Sequence, residues 1–513
     1  MDSGATAKHM QSDARTARLG DLLRTAGIAA GAQAPDTVVR SIEYDSRRVE
    51  PGCLFVAVTG FVTDGHRYVA DVAGRGAVAA LVEHRTGAAI PEIVVPDTRA
   101  ALGAVSHEFY GRPSERLATH SITGTNGKTT TSYLIDSILR ASGLRTGVIG
   151  TLGYRVDDRR FAGDRTSPES LDLARLMASM VDVGVGAVTM EVSSHALALR
   201  RAAGMKLDTA TFTNLSRDHL DFHGSIEEYG AAKKTLFDAL AGAAGKPGAA
   251  AIVNADDPFG REIIASLRSS ARVRTITYGM SAGDVHAASV RSTAAGTEAR
   301  FVTPSGDFDV RIRLISTFNV MNALAAAGVA VSQGIGHDAI AAGLEQVDRV
   351  EGRLQLVDGG QDFAAVIDYA HTPDALEKVI AALRELKPRR LLVVFGCGGD
   401  RDRGKRSLMG EIAVRGADHA IVTSDNPRTE SPSAIIEDIL AGTKGADARA
   451  RVEVIENRRE AIRRAVAAAA AGDIVLVAGK GHEDYQIVGT EKLHFDDREE
   501  VLAAVANLRS GRL

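Results

Sequence analysis

Short apolar runs that alternate with helical patterns recur along most of the chain. In the middle third, residues 187–192, 210–214 and 251–254 are such runs, and in the last third residues 391–395 and 474–477 repeat the pattern. Continuous apolar runs of this length, bounded by polar turns, are typical of strands buried on both faces. The pattern therefore predicts an α/β protein with mostly parallel sheets and helices on both faces. Ligands are then expected at the carboxyl ends of the strands.

The chain has 513 residues, which is too long for one hydrophobic core and predicts about three domains. We predict a smaller N-terminal α/β domain at 1–116, in which 1–16 form a flexible polar arm and 112–114 a linker. A central domain at 117–348 holds a mostly parallel sheet of the phosphate-loop type. A C-terminal domain at 349–513 is doubly wound, as in the Rossmann fold.

Composition excludes several classes of function. Apolar residues make up 45% of the chain, the net charge is −4 and no polybasic block occurs, so neither nucleic acid nor an anionic membrane surface is expected. No run approaches the roughly 20 apolar residues of a membrane helix, and no signal peptide is visible. The two cysteines, Cys53 and Cys397, exclude a disulfide scaffold. We expect a cytoplasmic monomer, not inserted in a membrane, whose partners are small molecules.

The segment 121–130, Ser-Ile-Thr-Gly-Thr-Asn-Gly-Lys-Thr-Thr, has the layout of a phosphate-binding loop. A predicted strand at 116–120 precedes it and a predicted helix at 131–140 follows it. The full pattern has glycine where this chain has Ile122, so the loop is a variant. The alternative is a glycine turn that begins an ordinary helix.

Four residues define the chemistry of this loop. Gly124 and Gly127 would let backbone N–H groups approach anionic oxygens, and the helix that follows would add a favourable dipole. Lys128 could bridge β- and γ-phosphates, and the Thr129 hydroxyl could ligate Mg²⁺. The expected ligand is a nucleoside triphosphate.

Polar residues follow two other predicted strands of the central domain. Glu191 ends one strand, where its carboxylate could hold Mg²⁺ beside the triphosphate, or could simply cap a helix. The loop 214–224 contains two histidines and two aspartates, and is interpreted either as a metal site, mainly through His219, or as a solvated turn. Two adjacent lysines on the predicted helix 227–240 lie beside an apolar face, where lysines usually face solvent.

Three loops of the last third carry charge at predicted strand ends. Segment 397–406 is a glycine loop rich in arginine, and segment 425–430 presents Arg428 after a proline. Segment 479–485 ends a strand and offers Glu483 to a cation. If the sheet is doubly wound, the three loops could converge on one pocket with cationic and acidic sides. Such a pocket suits a zwitterionic small molecule.

The chain after about residue 16 closely resembles the Mur ligase family, the ATP-dependent amino-acid-adding enzymes of peptidoglycan synthesis. Segment 123–130 matches the family's phosphate loop, including the missing first glycine. Segment 425–428, Asp-Asn-Pro-Arg, matches the signature of the meso-diaminopimelate-adding members, whereas lysine-adding members differ there. The resemblance implies ATP as co-substrate and Mg²⁺ as cofactor. It also implies addition of meso-2,6-diaminopimelate to the D-glutamyl γ-carboxylate of UDP-N-acetylmuramoyl-L-alanyl-D-glutamate.

The resemblance implies roles for individual residues as well. The expected catalytic residues are Lys128, Glu191, His219 and Lys233, and the expected Mg²⁺ ligands are Thr129, Glu191, His219 and a carbamate on Lys233. The expected ATP-binding residues are Gly124, Thr125, Asn126, Gly127, Lys128, Thr129, Thr130, Asn319, Asn322, Arg353, Asp368 and His371. The expected contacts of the UDP-linked substrate are Ser46, His66, Thr166, Ser167, Ser193, Arg201 and Lys233. The expected diaminopimelate contacts are Arg401, Asp425, Asn426, Arg428, Gly479 and Glu483.

The implied mechanism has two steps, formation of an acyl phosphate and attack on it by the incoming amine. Leu199 stands where many relatives have a glutamine that holds the muramoyl-dipeptide. A leucine side chain cannot make that hydrogen bond to the substrate. Rival interpretations are a lysine-adding ligase, another ligase of the same fold such as a folylpolyglutamate synthase, a nucleotide-dependent switch ATPase, and a non-catalytic UDP-sugar-binding protein.

Overall fold

The computed structural model describes residues 15–29, 36–60, 63–163, 165–293, 296–444 and 451–511. Most of the predicted N-terminal arm, residues 1–14, lies outside the described residues. Three α/β units, each with its own main sheet, follow one another along the chain, so the predicted fold class is confirmed. The proposed domain boundaries lie between these sheets and stay predictions.

The first unit has a small parallel sheet. Its elements are β1 (Ala17–Arg18), α1 (Leu19–Thr25), β2 (Val38–Val39), β3 (Ser41–Glu43), β4 (Cys53–Val56), α2 (Val69–Gly74), β5 (Ala79–Val82), β6 (Glu92–Val94), α3 (Thr98–Phe109) and α4 (Pro113–Arg116). The sheet order is β3-β4-β5-β6, with all pairs parallel. Leu54 and Val56 of β4 share a core with Leu171 and Ala174 of the second unit, so the first two units pack directly against each other.

The second unit has the largest sheet. Its strands are β7 (Ala118–Thr123), β8 (Thr146–Gly150), β9 (Gly153–Val156), β10 (Arg159–Phe161), β11 (Ala187–Glu191), β12 (Leu207–Phe212), β13 (Gly245–Asn254), β14 (Arg274–Gly279), β15 (Val285–Thr293), β16 (Gly296–Thr303) and β17 (Gly306–Ile312). Its helices are α5 (Lys128–Ala141), α6 (Ser170–Asp182), α7 (Ser194–Ala198), α8 (Leu220–His223), α9 (Ile226–Ala241), α10 (Pro258–Leu267), α11 (Thr317–Ser332) and α12 (His337–Gln346).

The strand order of this sheet is β10-β9-β8-β11-β7-β12-β13-β14-β15-β16-β17, parallel from β8 to β15 and antiparallel at both ends. Alternate residues of β13 enter two different cores, Ile252 with α5 and α11 on one face, and Ala251 and Val253 with α6 and α9 on the other. This alternation is what helices on both faces of a parallel sheet require.

The third unit is doubly wound. Its elements are β18 (Gln355–Val357), β19 (Ala364–Asp368), α13 (Pro373–Glu385), β20 (Leu391–Phe395), α14 (Gly404–Gly416), β21 (His419–Val422), α15 (Pro432–Leu440), β22 (Val452–Val454), α16 (Arg458–Ala468), β23 (Ile474–Ala478), β24 (Tyr485–Val488), β25 (Glu491–His494) and α17 (Asp497–Arg509). The sheet order is β18-β19-β23-β20-β21-β22, parallel except for β18, and β24 and β25 form a separate hairpin. Strands β23, β20 and β21 are therefore neighbours, and their carboxyl ends lie at one edge.

Several predicted boundaries are wrong, for local reasons. The predicted linker at 112–114 is partly α4, because Pro113 occupies a first helical position, where a proline loses no hydrogen bond. Strand β7 is shifted towards the loop relative to the predicted 116–120. Helix α11 begins at Thr317, where the Ser316 side chain accepts a hydrogen bond from the Phe318 backbone N–H and caps the helix.

Among the described residues, no helix is both long enough and apolar enough to span a membrane.

Candidate functional site

The phosphate loop joins the end of β7 to the start of α5. Gly124 and Gly127 have φ angles of 148° and 84°, a region that favours glycine. A β-carbon at Gly124 would collide with the Thr213 hydroxyl, and one at Gly127 with the Asn322 side-chain oxygen. Ile122, where the full pattern has glycine, is a fully buried residue of β7. The loop therefore needs glycine at two positions, and the missing first glycine is replaced by a core residue of the strand.

The loop lysine folds back on its own loop. Lys128 Nζ donates to the carbonyl oxygens of Gly124 at 3.0 Å and Thr125 at 2.8 Å. Burial lowers the pKa of Lys128, while Glu191 and Asp218 act in the opposite direction. A phosphate group entering the loop would offer this ammonium group a charged acceptor in place of two neutral carbonyls.

A second lysine reaches the same loop from α9. Lys233 Nζ donates to the Gly124 carbonyl at 2.9 Å and lies 4.1 Å from the centre of the Tyr229 ring. The side chain is 1% exposed, and burial, followed by the charge of Lys128, lowers its pKa well below the ordinary value. The usual solvent-facing position of such lysines does not hold for Lys233, because it lies on the side of α9 that faces the loop. Lys234 does face outward.

Glu191 forms an anionic centre beside the loop. This carboxylate, 1% exposed, accepts hydrogen bonds from the Thr129 hydroxyl at 3.0 Å, the Thr151 N–H at 2.9 Å and the Thr151 hydroxyl at 3.0 Å. Arg353 of the third unit donates to the Thr129 hydroxyl at 3.3 Å. Two of the expected metal ligands, Thr129 and Glu191, are therefore in direct contact at the carboxyl ends of parallel strands.

His219 lies in a group of rings near this centre. Its backbone is left-handed, with φ of 52°, and Nε2 lies 3.3 Å from Asp218 Oδ2. Its ring centre is 4.8 Å from that of His195. Burial lowers the pKa of His219 to about 4, so the imidazole is neutral at pH 7, the form that binds metals. Among the described residues, no group of three or more His, Cys, Asp or Glu is arranged to hold a metal by itself.

Lys128, Glu191 and His219 line one cleft of about 560 Å³ between the second and third units. The second unit contributes the phosphate loop, Glu191 and His219. Residues expected at the ATP site from the third unit also line it, namely Arg353, Asp368 and His371. Lys233 is not among the lining residues and reaches the loop from behind.

Hydrogen bonds and aromatic contacts hold the third-unit wall of the cleft. Asp368 accepts a hydrogen bond from the Leu354 N–H at 2.7 Å, and burial raises its pKa to about 6. The Arg353 guanidinium lies 4.7 Å from the centre of the Tyr369 ring, and His371 Nδ1 is 2.7 Å from the Tyr369 carbonyl oxygen. Backbone and aromatic contacts thus fix the groups that face the phosphate loop.

The start of α11 forms another wall. Asn319 donates to the Ile315 carbonyl at 2.8 Å, and Asn322 donates to the Asn319 side-chain oxygen at 3.1 Å. The Asn322 side-chain oxygen in turn accepts from the Thr131 hydroxyl at 3.3 Å. Both asparagines expected at the adenine side are therefore oriented by side-chain contacts next to the phosphate loop.

Asp374, which the sequence did not single out, joins the third unit to the phosphate loop. Its Oδ2 accepts hydrogen bonds from Asn126 Nδ2 at 2.7 Å, Ser216 Oγ at 2.8 Å and Lys378 Nζ at 2.9 Å. Two of these donors belong to the second unit. This carboxylate thus joins the two walls of the cleft, in addition to the contact between Arg353 and Thr129.

The residues expected to contact the UDP-linked substrate fall into two groups. Ser167 Oγ donates to the Glu191 carbonyl at 2.9 Å and accepts from the Ser193 N–H at 3.1 Å, and Thr166 Oγ1 lies 3.1 Å from Thr151 Oγ1. These three residues are therefore held beside the cleft. The other group, in the first unit, contains Ser46, which begins a short 3₁₀ turn.

His66 of the first unit is held on both sides of its ring. Nδ1 lies 2.6 Å from Asp64 Oδ1, and Nε2 accepts from the Glu83 N–H at 2.9 Å. The ring also stacks on His84 with centres 4.4 Å apart. Both ring nitrogens are thus occupied within the first unit, which favours a supporting role for His66 over a direct substrate contact.

Arg201 belongs to a cationic group that sequence reasoning missed. Glu169 accepts hydrogen bonds from Arg201 at 2.9 Å, Arg165 at 2.9 Å and Arg99 at 3.2 Å. Arg99 comes from the first unit, and its guanidinium also reaches the Leu199 carbonyl at 3.4 Å. Three cations thus share one carboxylate where the first two units meet. Leu199, which stands where many relatives have a glutamine, takes part through its backbone carbonyl.

The three charged loops of the third unit meet, as the sequence suggested. Gly399 N–H donates to the Asn426 carbonyl at 2.9 Å, and Arg428 Nη1 donates to the Gly399 carbonyl at 2.8 Å. Asn426 Nδ2 donates to Glu483 Oε2 at 2.9 Å. The side chains of Arg401 and Arg428 both lie beside Gly398. The result is a pocket with arginines on one side and carboxylates on the other.

The acidic side of this pocket is buried. Gly479 has φ of 122°, and a β-carbon there would lie 2.6 Å from Asp425 Oδ2, so the carboxylate approaches bare backbone. Burial acts to raise the pKa of Asp425, but the charges of Lys480 and Arg458 hold it below its ordinary value. Burial and the charge of Asp425 raise the pKa of Glu483. The hairpin β24–β25 covers this side, since Gln486 donates to the Asp425 carbonyl at 2.6 Å.

Comparison with known proteins shows similarity to one family along most of the chain. Three family models match the chain: the Mur ligase family, catalytic domain at 38–110, the Mur ligase middle domain at 122–330, and the Mur ligase, glutamate ligase domain at 352–481. A relative from Geobacter metallireducens is 45% identical over 96% of this chain and 99% of its own length. One from Geobacillus kaustophilus is 46% identical over 92% and 95%. Both are named UDP-N-acetylmuramoyl-L-alanyl-D-glutamate–2,6-diaminopimelate ligase.

Solved structures show the same architecture. A UDP-N-acetylmuramoyl-L-alanyl-D-glutamate–2,6-diaminopimelate ligase is 33% identical, with a TM-score of 0.68 over 96% of this chain and 99% of its own. MurF ligase from Thermotoga maritima in complex with ADP is 19% identical, with a TM-score of 0.61 over 93% and 99%, and shares the fold. With matches to all three units and close relatives over nearly the full length, this chain belongs to the Mur ligase family.

Proposed function

We propose that this chain is an ATP-dependent amide ligase that adds meso-2,6-diaminopimelate to the D-glutamyl γ-carboxylate of UDP-N-acetylmuramoyl-L-alanyl-D-glutamate in peptidoglycan synthesis. The observation that carries the proposal is the direct connection of two chemically different sites. Lys405, in the first turn of α14 directly after the loop that bears Arg401, donates to the carbonyl of His371 at 2.9 Å, and His371 lines the phosphate-loop cleft. A nucleotide cleft joined to a zwitterion pocket suits activation by ATP followed by amino-acid transfer. The names of the relatives support the same substrates.

In the first step, the γ-carboxylate of the D-glutamyl residue attacks the γ-phosphate of ATP and gives an acyl phosphate and ADP. The phosphate-loop N–H groups would hold the phosphates, and Lys128 would counter the charge that builds up on the transferring group. Arg353 already reaches Thr129 from the third unit and would add a second cation at this position. Catalysis here is positioning plus electrostatic stabilisation.

The donor set at the loop fits Mg²⁺. Thr129 and Glu191 offer adjacent oxygens, His219 offers a neutral imidazole, and a carbamate on Lys233 would supply a second anionic group near the loop. When bound, Mg²⁺ would neutralise phosphate charge. The low pKa of Lys233 supports this assignment, because only a neutral amine reacts with CO₂.

In the second step, the free amine of diaminopimelate attacks the carbonyl carbon of the acyl phosphate, and phosphate leaves as the amide forms. Arg401 and Arg428 would bind the carboxylate at the non-reacting end, while Asp425 and Glu483 would bind the ammonium group there and Asn426 would hold Glu483 in place. This arrangement would direct the other end of the amino acid towards the cleft.

The acceptor substrate would lie across the first two units. Ser46 is the expected contact in the first unit, and Thr166, Ser167, Ser193 and Arg201 are the expected contacts in the second. The excess of positive charge around Glu169 supports an anionic ligand at this junction. Cytoplasmic location and a monomeric state belong to the same proposal, since ATP is the co-substrate and one chain supplies every expected contact.

The proposal is tested by phosphate release with ATP, Mg²⁺ and UDP-N-acetylmuramoyl-L-alanyl-D-glutamate, with meso-diaminopimelate or L-lysine added in parallel. Release that depends on diaminopimelate, with formation of the tripeptide product by mass spectrometry, is expected. Release with L-lysine but not with diaminopimelate would support an amide ligase and contradict diaminopimelate as its substrate. Release that needs neither amino acid nor UDP-linked substrate would favour the switch ATPase.

Asp374→Ala should lower kcat/KM for diaminopimelate about tenfold, because hydrogen bonds to a charged acceptor contribute about 1.5–3 kcal/mol and two of them join the units here. The melting temperature should change little, since Asp374 is not part of a core. Glu377→Ala is the matched control on the same helix, because Glu377 is exposed and pairs with the exposed Arg415. Equal kcat/KM values for the two variants would contradict a joining role for Asp374.

A further inference from the structure

Lys480 is a fully buried lysine among two carboxylates of the third-unit pocket. Its side chain is 0% exposed, and Nζ lies 3.3 Å from Glu483 Oε2 and 3.8 Å from Asp425 Oδ1. Nζ also donates to the Asn426 side-chain oxygen at 3.1 Å. A lysine with no exposed surface is uncommon unless its charge is paired, and here two acidic groups are within reach.

Asn426 is oriented by these contacts. Its side-chain oxygen accepts from Lys480 Nζ and from the Ile487 N–H at 2.9 Å, so its amide nitrogen must point the other way, towards Glu483. Gln486 of the hairpin donates to the Asp425 carbonyl at 2.6 Å and fixes the same loop. Lys480 therefore contacts three polar groups, Asp425, Asn426 and Glu483, without occupying the arginine side of the pocket.

The charges around this site can be counted. Arg458 forms a buried ion pair with Asp497 at 2.7 Å, so this neighbouring cation is already neutralised. Asp425 and Glu483 then contribute two negative charges and Lys480 one positive charge. The remaining single negative charge balances the single positive charge of one substrate ammonium group.

We propose that Lys480 is a positioning residue of the amino-acid pocket, whose fixed ammonium group neutralises one of the two carboxylates, so that the pocket accepts one substrate ammonium group. This inference rests on the proposed function, because it assigns the acidic side of the pocket to the non-reacting end of the incoming amino acid. Without Lys480, the two buried carboxylates would lose the counter-charge that both of them contact. They would then share a proton, because the neighbouring Arg458 is already paired with Asp497.

The expected pH effect follows from the contacts of Glu483. Its protonated form cannot serve as an anionic partner for the substrate ammonium group, so acidification should weaken diaminopimelate use. Lys480 favours the ionised form of Glu483, and removing it should move this weakening to higher pH by about one unit or more. The other titratable or charged groups facing this pair are Tyr369, His371, Lys405, Arg428, Arg458 and Tyr485.

The test compares kcat/KM for diaminopimelate between Lys480→Met and the unchanged chain from pH 6 to pH 9. The ratio of kcat/KM for the variant to kcat/KM for the unchanged chain is taken at each pH, which cancels the effect of substrate ionisation because that effect is the same for both. We expect a ratio of about one tenth or less near pH 7 that rises with pH, and an unchanged KM for ATP. Lys492→Met is the matched control, because Lys492 is an exposed lysine on the covering hairpin, 3.8 Å from the centre of the Tyr485 ring. Its ratio should stay near one.

A ratio that is lowered equally at every pH would overturn the inference and leave Lys480 with a purely structural role. If Lys480→Met does not fold, Glu483→Gln and the double variant Lys480→Met/Glu483→Gln replace it. The single change leaves a neutral pocket and the double change restores one negative charge, so the double variant should use diaminopimelate better than Glu483→Gln does. No such recovery would also overturn the inference. Failure of the unchanged chain to use diaminopimelate would instead contradict the proposed function.

Discussion

Lys233→Ala should lower kcat by on the order of 10²–10³-fold, as removal of a single preorganised charge-stabilising group does in other enzymes. Lys233 Nζ is held by the Gly124 carbonyl in the wall of the phosphate loop, and its side chain is buried. Its neutral amine can attack CO₂ and lose a proton, which converts a potential cation into a carbamate anion. That anion would complete the oxygen ligands offered by Thr129 and Glu191.

Lys233→Arg distinguishes the carbamate from a plain cation. Arginine keeps a positive charge but remains protonated and does not form a carbamate, so kcat should fall about as far as in Lys233→Ala. Lys234→Ala is the matched control, because this neighbouring lysine pairs with Asp238 at the surface and should leave kcat unchanged. The measurement is steady-state phosphate release together with intact mass, which should include one CO₂ only while Lys233 is present. Full activity of Lys233→Arg would contradict the carbamate.

The phosphate loop was predictable because its chemistry is local. Gly124, Gly127, Lys128 and Thr129 are close in sequence, and the strand and helix around them have clear patterns. The clustering of the three third-unit loops was predictable for a related reason, since β23, β20 and β21 are parallel neighbours and their ends must lie at one edge. In both cases sequence order and sheet topology determine which residues meet.

Other parts of the site depend on contacts between distant segments. Asp374 meets Asn126 across 248 positions, and nothing in the sequence around either residue indicates the contact. The three arginines on Glu169 come from two units in the same way. Lys233 and Lys234 have the same chemistry and adjacent positions, and only the packing of α9 decides which one is buried. Lys480, inside a glycine-rich strand end, likewise shows its role only through its neighbours.

Arg428→Ala should raise KM for diaminopimelate at least tenfold and leave KM for ATP unchanged. A hydrogen bond to a charged group contributes about 1.5–3 kcal/mol, and truncation would leave the carboxylate of the bound amino acid without this partner. Arg428 is held in a left-handed backbone conformation, with φ of 52°, and its backbone is paired with the β24–β25 hairpin on both sides. The backbone that carries the guanidinium is therefore held in place, which is what selective binding of one carboxylate requires.

L-Lysine provides the sharpest comparison, because it lacks the second carboxylate. The low use of lysine expected for the unchanged chain should be nearly the same in Arg428→Ala, so the preference for diaminopimelate should fall by the factor that KM rises. Arg403→Ala is the matched control, since its exposed guanidinium pairs with Glu430 on the outside of the neighbouring loop and such surface pairs contribute little. Steady-state kinetics with both amino acids measures the effect. An equal loss of lysine and diaminopimelate use would mean that Arg428 supports the loop rather than selecting the substrate.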